Sequence, residues 1–312
     1  MNRSWGIAEW YGHDVLTMSA EQRVAAATSA IAAKAEGLKQ APQPECPFLA
    51  TLRPGALCNK VGGVCSLRQY ESDDGSARPV GGQPATLCPN RFLEHRGERS
   101  VFSEIAQELF KVSEGAKVIK EIPFLEKETL TGEERAAKAG RIDWIVVPRP
   151  ARVSDEGDMP WIAVETQGVY FSGVQIWPDI AAYLSDPSKV HMPHGTRRPD
   201  YRSSGAKRLA PQLSAKAPVM NRWGRKIAIV IDVGFFNEMG VLAPASDFDN
   251  SELVWFVVRY DDNMSLVLET VLFSELAAGL TALQAAKPVN RAKFQSMLIS
   301  EMARNSNKVY DA

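Results

Sequence analysis

The sequence predicts an α/β fold with a mixed central sheet flanked by helices. From about residue 99 the hydrophobic pattern gives a helix, three strands, a helix and another strand, an order typical of a mixed α/β core. The composition, 45% hydrophobic and 23% charged residues, is that of an ordinary soluble globular protein. No apolar run approaches the roughly 20 residues that a membrane span requires, because the longest, 227–233, is strand-sized and contains Asp232. We therefore expect no membrane partner.

The 312 residues suffice for one large domain or two modest ones, and the pattern changes near residue 98. Residues 19–40 are rich in alanine and are predicted to form a helix that starts at Ser19 and ends before Pro42. The cysteine segment that follows is rich in Gly and Pro and has little periodicity, so we expect it to need a metal to hold its shape. Residues 1–98 are therefore assigned to an N-terminal helix and cysteine segment, and residues 99–312 to a second domain.

The second part should alternate between helices and strands. Residues 101–112 place Phe102, Ile105 and Leu109 on one face of a helix. Three strands, a helix, a basic loop, three more strands and a C-terminal helix are predicted after it. The strands are expected at 117–124, 141–147, 161–169, 226–236, 253–260 and 266–272, and the later helices at 176–184 and about 274–303.

All four cysteines fall within 43 residues, and the 224 residues after the last contain none. Two of them precede proline and a third follows a Gly pair, residues that fix the tight turns needed when several thiolates converge on one ion. Such soft ligands suit zinc or iron in a tetrahedral site. The spacings of 11, 6 and 22 residues contain no Cys-x-x-Cys pair, so no common zinc-ribbon pattern applies. The candidate ligands are Cys46, Cys58, Cys65 and Cys88.

Two disulfides, or four unrelated buried thiols, are the alternatives to a metal site. Residues 1–16 mix Trp5, Glu9 and His13 with short apolar pieces and lack the apolar core of a signal peptide. We therefore expect a cytoplasmic protein, and a reducing cytoplasm disfavours disulfides.

Charge is unevenly distributed along the chain. The net charge of −1 alone argues against a nucleic-acid partner. Residues 189–226, however, hold ten basic residues and a single acid, Asp200, for a net charge of +9 over 38 residues. Such a stretch favours a surface that faces a polyanion, with a merely solvated loop as the alternative.

Polar residues in the middle strands predict phosphodiester chemistry. Glu165 and Gln167 sit at i and i+2 in an apolar run, which places them on one face of a strand. A turn could bring Asp143, on the preceding strand, beside Glu165. Two adjacent carboxylates repel unless a cation lies between them, and Mg²⁺ fills the rest of its shell with water and phosphate oxygens. The alternative is that Glu165 and Gln167 face solvent on an edge strand.

Two blocks of sequence carry a family resemblance. The first is Cys46-Pro-Phe-Leu49, Cys58, Gly63-Val-Cys65 and Cys88-Pro-Asn-Arg91, and the second is Arg141-Ile-Asp-Trp144, Val164-Glu-Thr-Gln167 and Tyr170-Phe-Ser-Gly173. In order and rough spacing the two blocks resemble the cysteine segment and the active-site strands of the NotI/EagI family of type II restriction endonucleases. Together they cover roughly residues 46–175.

The resemblance implies a PD-(D/E)xK restriction-endonuclease-like core in residues 99–312, with glutamine in place of the usual lysine. It makes Asp143, Glu165 and Gln167 the catalytic set and Mg²⁺ the cofactor. A further acid is expected on the strand before Asp143; Glu121 is our choice, with Glu104 and Glu126 as rivals. It also implies that the four cysteines together bind a single iron in a structural, rubredoxin-like site, with zinc left open.

The resemblance further implies a homodimer that cuts a short GC-rich palindrome in double-stranded DNA, in a host with a cognate DNA methyltransferase. Arginines read guanine through paired bonds to O6 and N7. Most arginines of the basic stretch should contact phosphate only. The candidates are Arg197, Arg198, Arg202, Arg208, Arg222 and Arg225.

Two other classes of protein compete with this interpretation. A non-catalytic, repressor-like DNA-binding protein would use the metal-stabilised segment and the basic stretch, but it gains nothing from Asp143 and Glu165. An iron-based redox protein needs neither the basic stretch nor the carboxylate pair.

Overall fold

The structure is a computed structural model that describes residues 3–73, 76–97, 99–112, 115–128, 134–136, 140–151, 153–155, 157–285 and 289–304. Its N-terminal part forms a small antiparallel sheet that the sequence did not predict. Strand β1 pairs with β2, and β2 pairs with β3. The elements of this part are β1 (Arg3–Trp10), α1 (Ala20–Glu36), β2 (Val64–Asp73) and β3 (Ser76–Pro79), with short strands at His13–Asp14 and Ala85–Thr86 and a 3₁₀ helix at Pro89–Leu93.

The predicted helix at 19–40 is confirmed as α1. Ser19 caps its N-terminus, since the Ser19 side chain accepts a hydrogen bond from the backbone N–H of Gln22 and the Gln22 side chain accepts one from the Ser19 backbone. The helix ends at Gly37, which has a positive φ of 89°.

The second part contains a central sheet of six strands, which confirms the predicted mixed α/β class. The sheet runs in the order β9-β8-β7-β6-β5-β4. The inner pairs β6–β7 and β7–β8 are parallel, and the outer pairs are antiparallel. The strands are β4 (Ala116–Pro123), β5 (Arg141–Pro148), β6 (Ile162–Thr166), β7 (Ile227–Asp232), β8 (Leu253–Tyr260) and β9 (Leu266–Ser274).

Helices cover both faces of this sheet. The helices are α2 (Val101–Phe110), α3 (Trp177–Ser185), α4 (Tyr201–Ser204, continued by the π-helical turn Gly205–Leu209 and by Ala210–Arg222), α5 (Val233–Glu238), α6 (Leu276–Gln284) and α7 (Arg291–Ala303). Short strand pairs join His95–Arg96 with Arg99–Ser100, Glu126–Glu128 with Glu134–Ala136, and Phe171–Gly173 with Arg197–Pro199. In the described ranges no helix combines the length and the apolar character that crossing a membrane requires.

Alternation along the strands sorts the core into two layers. Trp144 and Val164 face the side covered by α2 and the N-terminal part. Ile145 and Ala163 face the side covered by α4, α5 and α6. The same period of two places Asp143 and Glu165 on the α4 side. The predicted division at residue 98 stays a prediction, and the apolar core is continuous across it, because Phe92 and Phe102 belong to one cluster.

Three predictions about elements were wrong. The basic stretch is not a loop, since most of it is α4. The strand expected at 226–236 ends at Asp232, whose side chain accepts a hydrogen bond from Phe235 N and caps α5. The single C-terminal helix is two helices, because α6 ends at Ala285, which has the left-handed φ of 49°. Pro288 follows in the sequence and disfavours continuation of a helix.

Candidate active site and cysteine centre

Three acidic residues form a row across neighbouring strands. Residues flanking Asp143 pair with those flanking Glu121, so these two lie opposite each other on β5 and β4. On the other side, Asp143 N donates a hydrogen bond to Glu165 Oε1 over 3.4 Å, and Thr166 N donates one to Asp143 Oδ2 over 3.2 Å. The structure therefore brings Asp143 and Glu165 together, as a hairpin of β5 and β6 allows.

Burial sets the protonation behaviour of this carboxylate pair. Glu165 is 1% exposed, and burial, reinforced by the charge of Asp143, raises its pKa to about 7 although Lys216 opposes the shift. Burial also raises the pKa of Asp143, against the opposing charge of Lys216 and the hydrogen bonds from Thr166. Glu165 is buried and Asp143 half-buried, and two such adjacent carboxyl groups with raised pKa values are candidates for binding a cation, because a cation offsets both burial and mutual repulsion.

Lys216 is the site residue that sequence reasoning missed, having been counted only as one charge of the basic stretch. Its Nζ lies 2.6 Å from Glu165 Oε2 and 3.1 Å from Gln212 Oε1. The signal was available in the sequence: Leu213, Ala217 and Met220 mark the apolar face of a helix, and Lys216 shares that face.

Gln167 lies just after β6, half-buried at the edge of a cleft. Its backbone N–H donates to Val230 O, and its Nε2 donates to Gly168 O over 2.6 Å. No hydrogen bond among the described residues joins Gln167 to Asp143 or Glu165. The side chain is thus near the row of acids but is not tied to it.

Glu121, the preferred candidate for the further acid, lies opposite Asp143 on the neighbouring strand. Its side chain is 50% exposed and pairs with Lys120 and Arg141. Hydrogen bonding and charge from Lys120 lower the pKa of Glu121, and the Glu121 charge contributes to the raised pKa of Asp143. Its backbone has a left-handed φ of 56°, which is uncommon outside glycine.

The two other candidates for the further acid are Glu104 and Glu126. Glu104 lies on α2, on the opposite face of the sheet from Asp143, so it is not part of this site. The side chain of Glu126 lies outside the described residues.

A cleft of about 720 Å³ connects the end of β6 to the cysteine segment. Gln167, Tyr170 and Arg208 line one side of it, and Lys60 and Cys88 line the other. The guanidinium of Arg208 lies 3.9 Å from the centre of the Tyr170 ring. Two smaller pockets continue the groove past Ser172.

The six candidate arginines divide by burial. Arg198, Arg202, Arg208 and Arg222 are exposed. Arg225 is partly buried, pairs with Asp158 and lies against the Trp161 ring. Arg197 is 4% exposed; it pairs with Asp179 over 2.6 Å and donates to the backbone carbonyls of Trp5, Val174 and Gln175. Its hydrogen-bonding groups are used inside the protein.

The four cysteines are buried and free, and all of them border one small cavity. Burial raises the pKa of Cys58 and Cys65, and raises that of Cys88 to about 11. Backbone hydrogen bonds at Lys60, Gly12 and Asn90 act in the opposite direction on the same three thiols. Hydrogen-bond donors that point at a sulfur atom stabilise its thiolate form relative to the thiol.

Comparison with known proteins identifies the class. The family model described as restriction endonuclease NotI matches residues 31–270, about three quarters of the chain. The chain belongs to the NotI restriction endonuclease family. It is therefore a type II restriction endonuclease, a DNA-binding hydrolase that cuts DNA at specific sites. This membership sets aside the redox and non-catalytic alternatives. A search of curated proteins gave no match.

Restriction endonucleases generally use Mg²⁺, and the donor set of this NotI-family enzyme fits such an ion. Asp143 and Glu165 provide two adjacent carboxylates, the number that Mg²⁺ commonly takes from a protein. Among the described residues no three His, Cys, Asp or Glu side chains stand in an arrangement that holds a metal ion. The cysteines thus border a common cavity without forming a closed ligand set, and their chemistry, four thiols of which three have backbone donors, fits iron or zinc.

Proposed function

We propose that this enzyme cuts both strands of double-stranded DNA at a short GC-rich palindrome by metal-dependent phosphodiester hydrolysis. The observation that supports the proposed site most directly is the contact between Asp143 and Glu165 on neighbouring strands. Both belong to the sheet itself, so their relative position is fixed by the ladder rather than by a loop.

Asp143 and Glu165 would hold the Mg²⁺ ion, with Glu121 as the further acid of the row. When bound, Mg²⁺ lowers the pKa of a coordinated water and offsets the charge that develops on the phosphate. Gln167 has no titratable amine, so it cannot act as a base. Its amide, at the edge of the cleft, can orient a nucleophilic water through hydrogen bonds.

The cleft next to Gln167 and the pockets beside it are lined by arginines that could contact a DNA strand. Arg208 borders the same cleft as Gln167, and Arg198 and Arg202 line the pocket beside Ser172. We assign to these three, with Arg222, the contacts to phosphate and guanine. Arg197 and Arg225 are left out because their guanidinium groups already have partners inside the protein.

A palindrome is matched by two-fold symmetry in the protein, so we propose a homodimer in which each protomer cuts one strand. A cognate DNA methyltransferase would protect the host. We propose further that Cys46, Cys58, Cys65 and Cys88 bind one structural iron or zinc ion, which would hold their segment against the cleft.

Digestion of a sequenced plasmid with Mg²⁺, followed by run-off sequencing of the ends, tests this function. Wild type should give discrete ends at one palindromic sequence. Glu165→Ala and Asp143→Ala should cut slower by roughly 1000-fold or more, because each loses a ligand of the ion, yet should still bind the same duplex. Gln167→Ala should be milder.

Glu269→Ala is the matched control, since Glu269 is an exposed acid on β9 that pairs with Arg259. It should cut at the wild-type rate. A folded Glu165→Ala enzyme that cuts as fast as this control would defeat the proposed site.

A further inference from the structure

Lys216 is a buried cation at the row of acids. It is 5% exposed, and its Nζ contacts Glu165 Oε2 over 2.6 Å. Burial raises the pKa of Asp143, and the charge of the same ammonium opposes that rise. Fully buried lysines are rare unless they are paired, and Glu165 is the partner of this one.

The helix α4 directs Lys216 at the sheet. Leu213 and Ala217 on the same face are completely buried against it. One helical turn earlier, Gln212 Oε1 accepts a second hydrogen bond from Lys216 Nζ over 3.1 Å. With two acceptors and packing on both sides, the ammonium is held in one place.

Lys216 supplies a positive charge that Gln167, which is neutral, cannot supply. Gln167 is neutral, and its amide donates to Gly168 O rather than to a carboxylate. Among the described residues, Lys120 and Arg141 also lie near the row, and both pair with the half-exposed Glu121. Without Lys216, Glu165 and Asp143 would present two uncompensated carboxylates to an approaching phosphate, and like charges repel.

We propose that Lys216 is a positioning residue of the cleavage site: its ammonium fixes the carboxylate of Glu165 and supplies the positive charge that Gln167 lacks. This role rests on the proposed function, in which Glu165 belongs to the cleavage site. It differs from a purely structural ion pair, because it predicts effects on catalysis and on DNA binding that act through Glu165.

The test uses Lys216→Gln, whose amide can still donate to Glu165 but carries no charge, and Lys216→Arg, which keeps the charge. Circular dichroism establishes that each variant is folded. With Mg²⁺, Lys216→Gln should lower kcat by about 100-fold and change KM for the duplex by less than about threefold, the pattern of a lost electrostatic contribution in the transition state. Lys216→Arg should restore activity to within about tenfold of wild type.

The second readout is binding of the cognate duplex in EDTA, where no divalent ion takes part. Lys216→Gln should weaken binding by about tenfold, because the carboxylate pair then repels phosphate. In the Glu165→Gln background the same change should have less than about a twofold effect, because the carboxylate through which Lys216 acts is gone. Lys207→Gln, an exposed lysine on α4, is the matched control, and its effect should be equal in both backgrounds.

Three outcomes would overturn the proposal: a folded Lys216→Gln enzyme with wild-type kcat, an equal effect of Lys216→Gln on binding in both backgrounds, or a folded Lys216→Arg enzyme slower than wild type by about 1000-fold. Should Lys216→Gln not fold alone, the Lys216→Arg rate and the Glu165→Gln double variant still decide. A Glu165→Ala enzyme that cuts like wild type would instead contradict the proposed function. The failure of the Lys216 proposal can therefore be distinguished from the failure of the proposed function.

Discussion

At the scale of residues, the site depends on burying charged groups next to each other. Glu165 is buried beside Asp143 and is compensated by Lys216, an arrangement that is costly unless every group keeps its partner. The pKa of Glu165, about 7, is the measurable consequence. A carboxyl group with this pKa is partly protonated near neutral pH, and a bound cation or a rise in pH favours its ionised form.

Cleavage should therefore depend on pH through Glu165. Since burial and Asp143 raise the pKa of Glu165 to about 7, the group is protonated below that pH and ionised above it. At low Mg²⁺, initial cleavage rates should rise with pH around a midpoint near 7 and level off only above it. Raising Mg²⁺ should move the midpoint to lower pH, because the cation favours the ionised form. A midpoint that does not respond to Mg²⁺ would contradict this assignment.

Arg197 and Arg208 should behave as opposites when changed to alanine. Arg197→Ala removes the guanidinium from the buried Asp179 and leaves only His194 beside it, so the free energy of unfolding should fall by roughly 3 kcal/mol in urea denaturation. Arg208→Ala should leave stability within about 0.5 kcal/mol, because the side chain is exposed. It should instead weaken DNA binding and reduce the salt slope by about one unit if it contacts phosphate, or relax preference at one base pair if it reads guanine. An Arg208→Ala enzyme with unchanged binding would show that this groove does not hold DNA.

At the scale of elements, the cysteine segment is built into the wall of the cleft. Val169 N, just past β6, donates to Thr86 O over 2.6 Å, and Cys88 N donates to Cys65 O over 3.0 Å. Gly168 lies so close to this segment that a Cβ would come within 2.7 Å of Leu87 O. The buried pair of Arg91 with Glu9 fixes the same segment to β1. A change at the cysteines should therefore be felt at the cleft.

Replacing any one of the four cysteines by serine should lower the melting temperature and the yield, because metal binding and the folding of this segment are coupled. If iron is bound, the wild-type protein should be reddish, and its thiolate-to-metal absorption should disappear on reduction or chelation. If the protein contains zinc instead, only the assignment of the metal as iron is wrong. Elemental analysis of fresh protein showing fewer than about 0.2 metal ions per chain would rule out the centre itself.

At the scale of the whole molecule, the two faces of the central sheet are covered by different elements. The N-terminal part and α2 cover one side, and α4 brings Lys216 and Arg208 to the other. One protomer has one row of acids. Cutting both strands of a palindrome therefore requires either a second protomer or a second binding and cleavage by the same protomer.

Sedimentation should thus show a complex of twice the 34.3 kDa chain mass, alone or on cognate duplex. Mixing wild type with excess Glu165→Ala protein should yield nicked circles, because a mixed dimer cuts only one strand. A protein that stays monomeric on DNA and gives linear product throughout would contradict the homodimer.

Apolar periodicity and capping signals predicted the α/β class, α1 and the positions of most strands, because both act locally. The sequence also singled out Asp143, Glu165 and the four cysteines, since acids in an apolar strand and clustered thiols are visible without a fold. The break between α6 and α7 and the end of β7 were missed because backbone conformation at single residues, such as Ala285, decides them.

The pairing of the charged residues could not be predicted, because it depends on the packing of distant elements. Arg197 and Lys216 are both members of one basic stretch in the sequence, yet one is buried against Asp179 and the other against Glu165. The contact of Lys216 depends on how α4 packs on the sheet, and that of Arg197 depends on how its short strand packs beside α3; no local pattern encodes either. Burial then gave each cation a role that its charge alone did not predict.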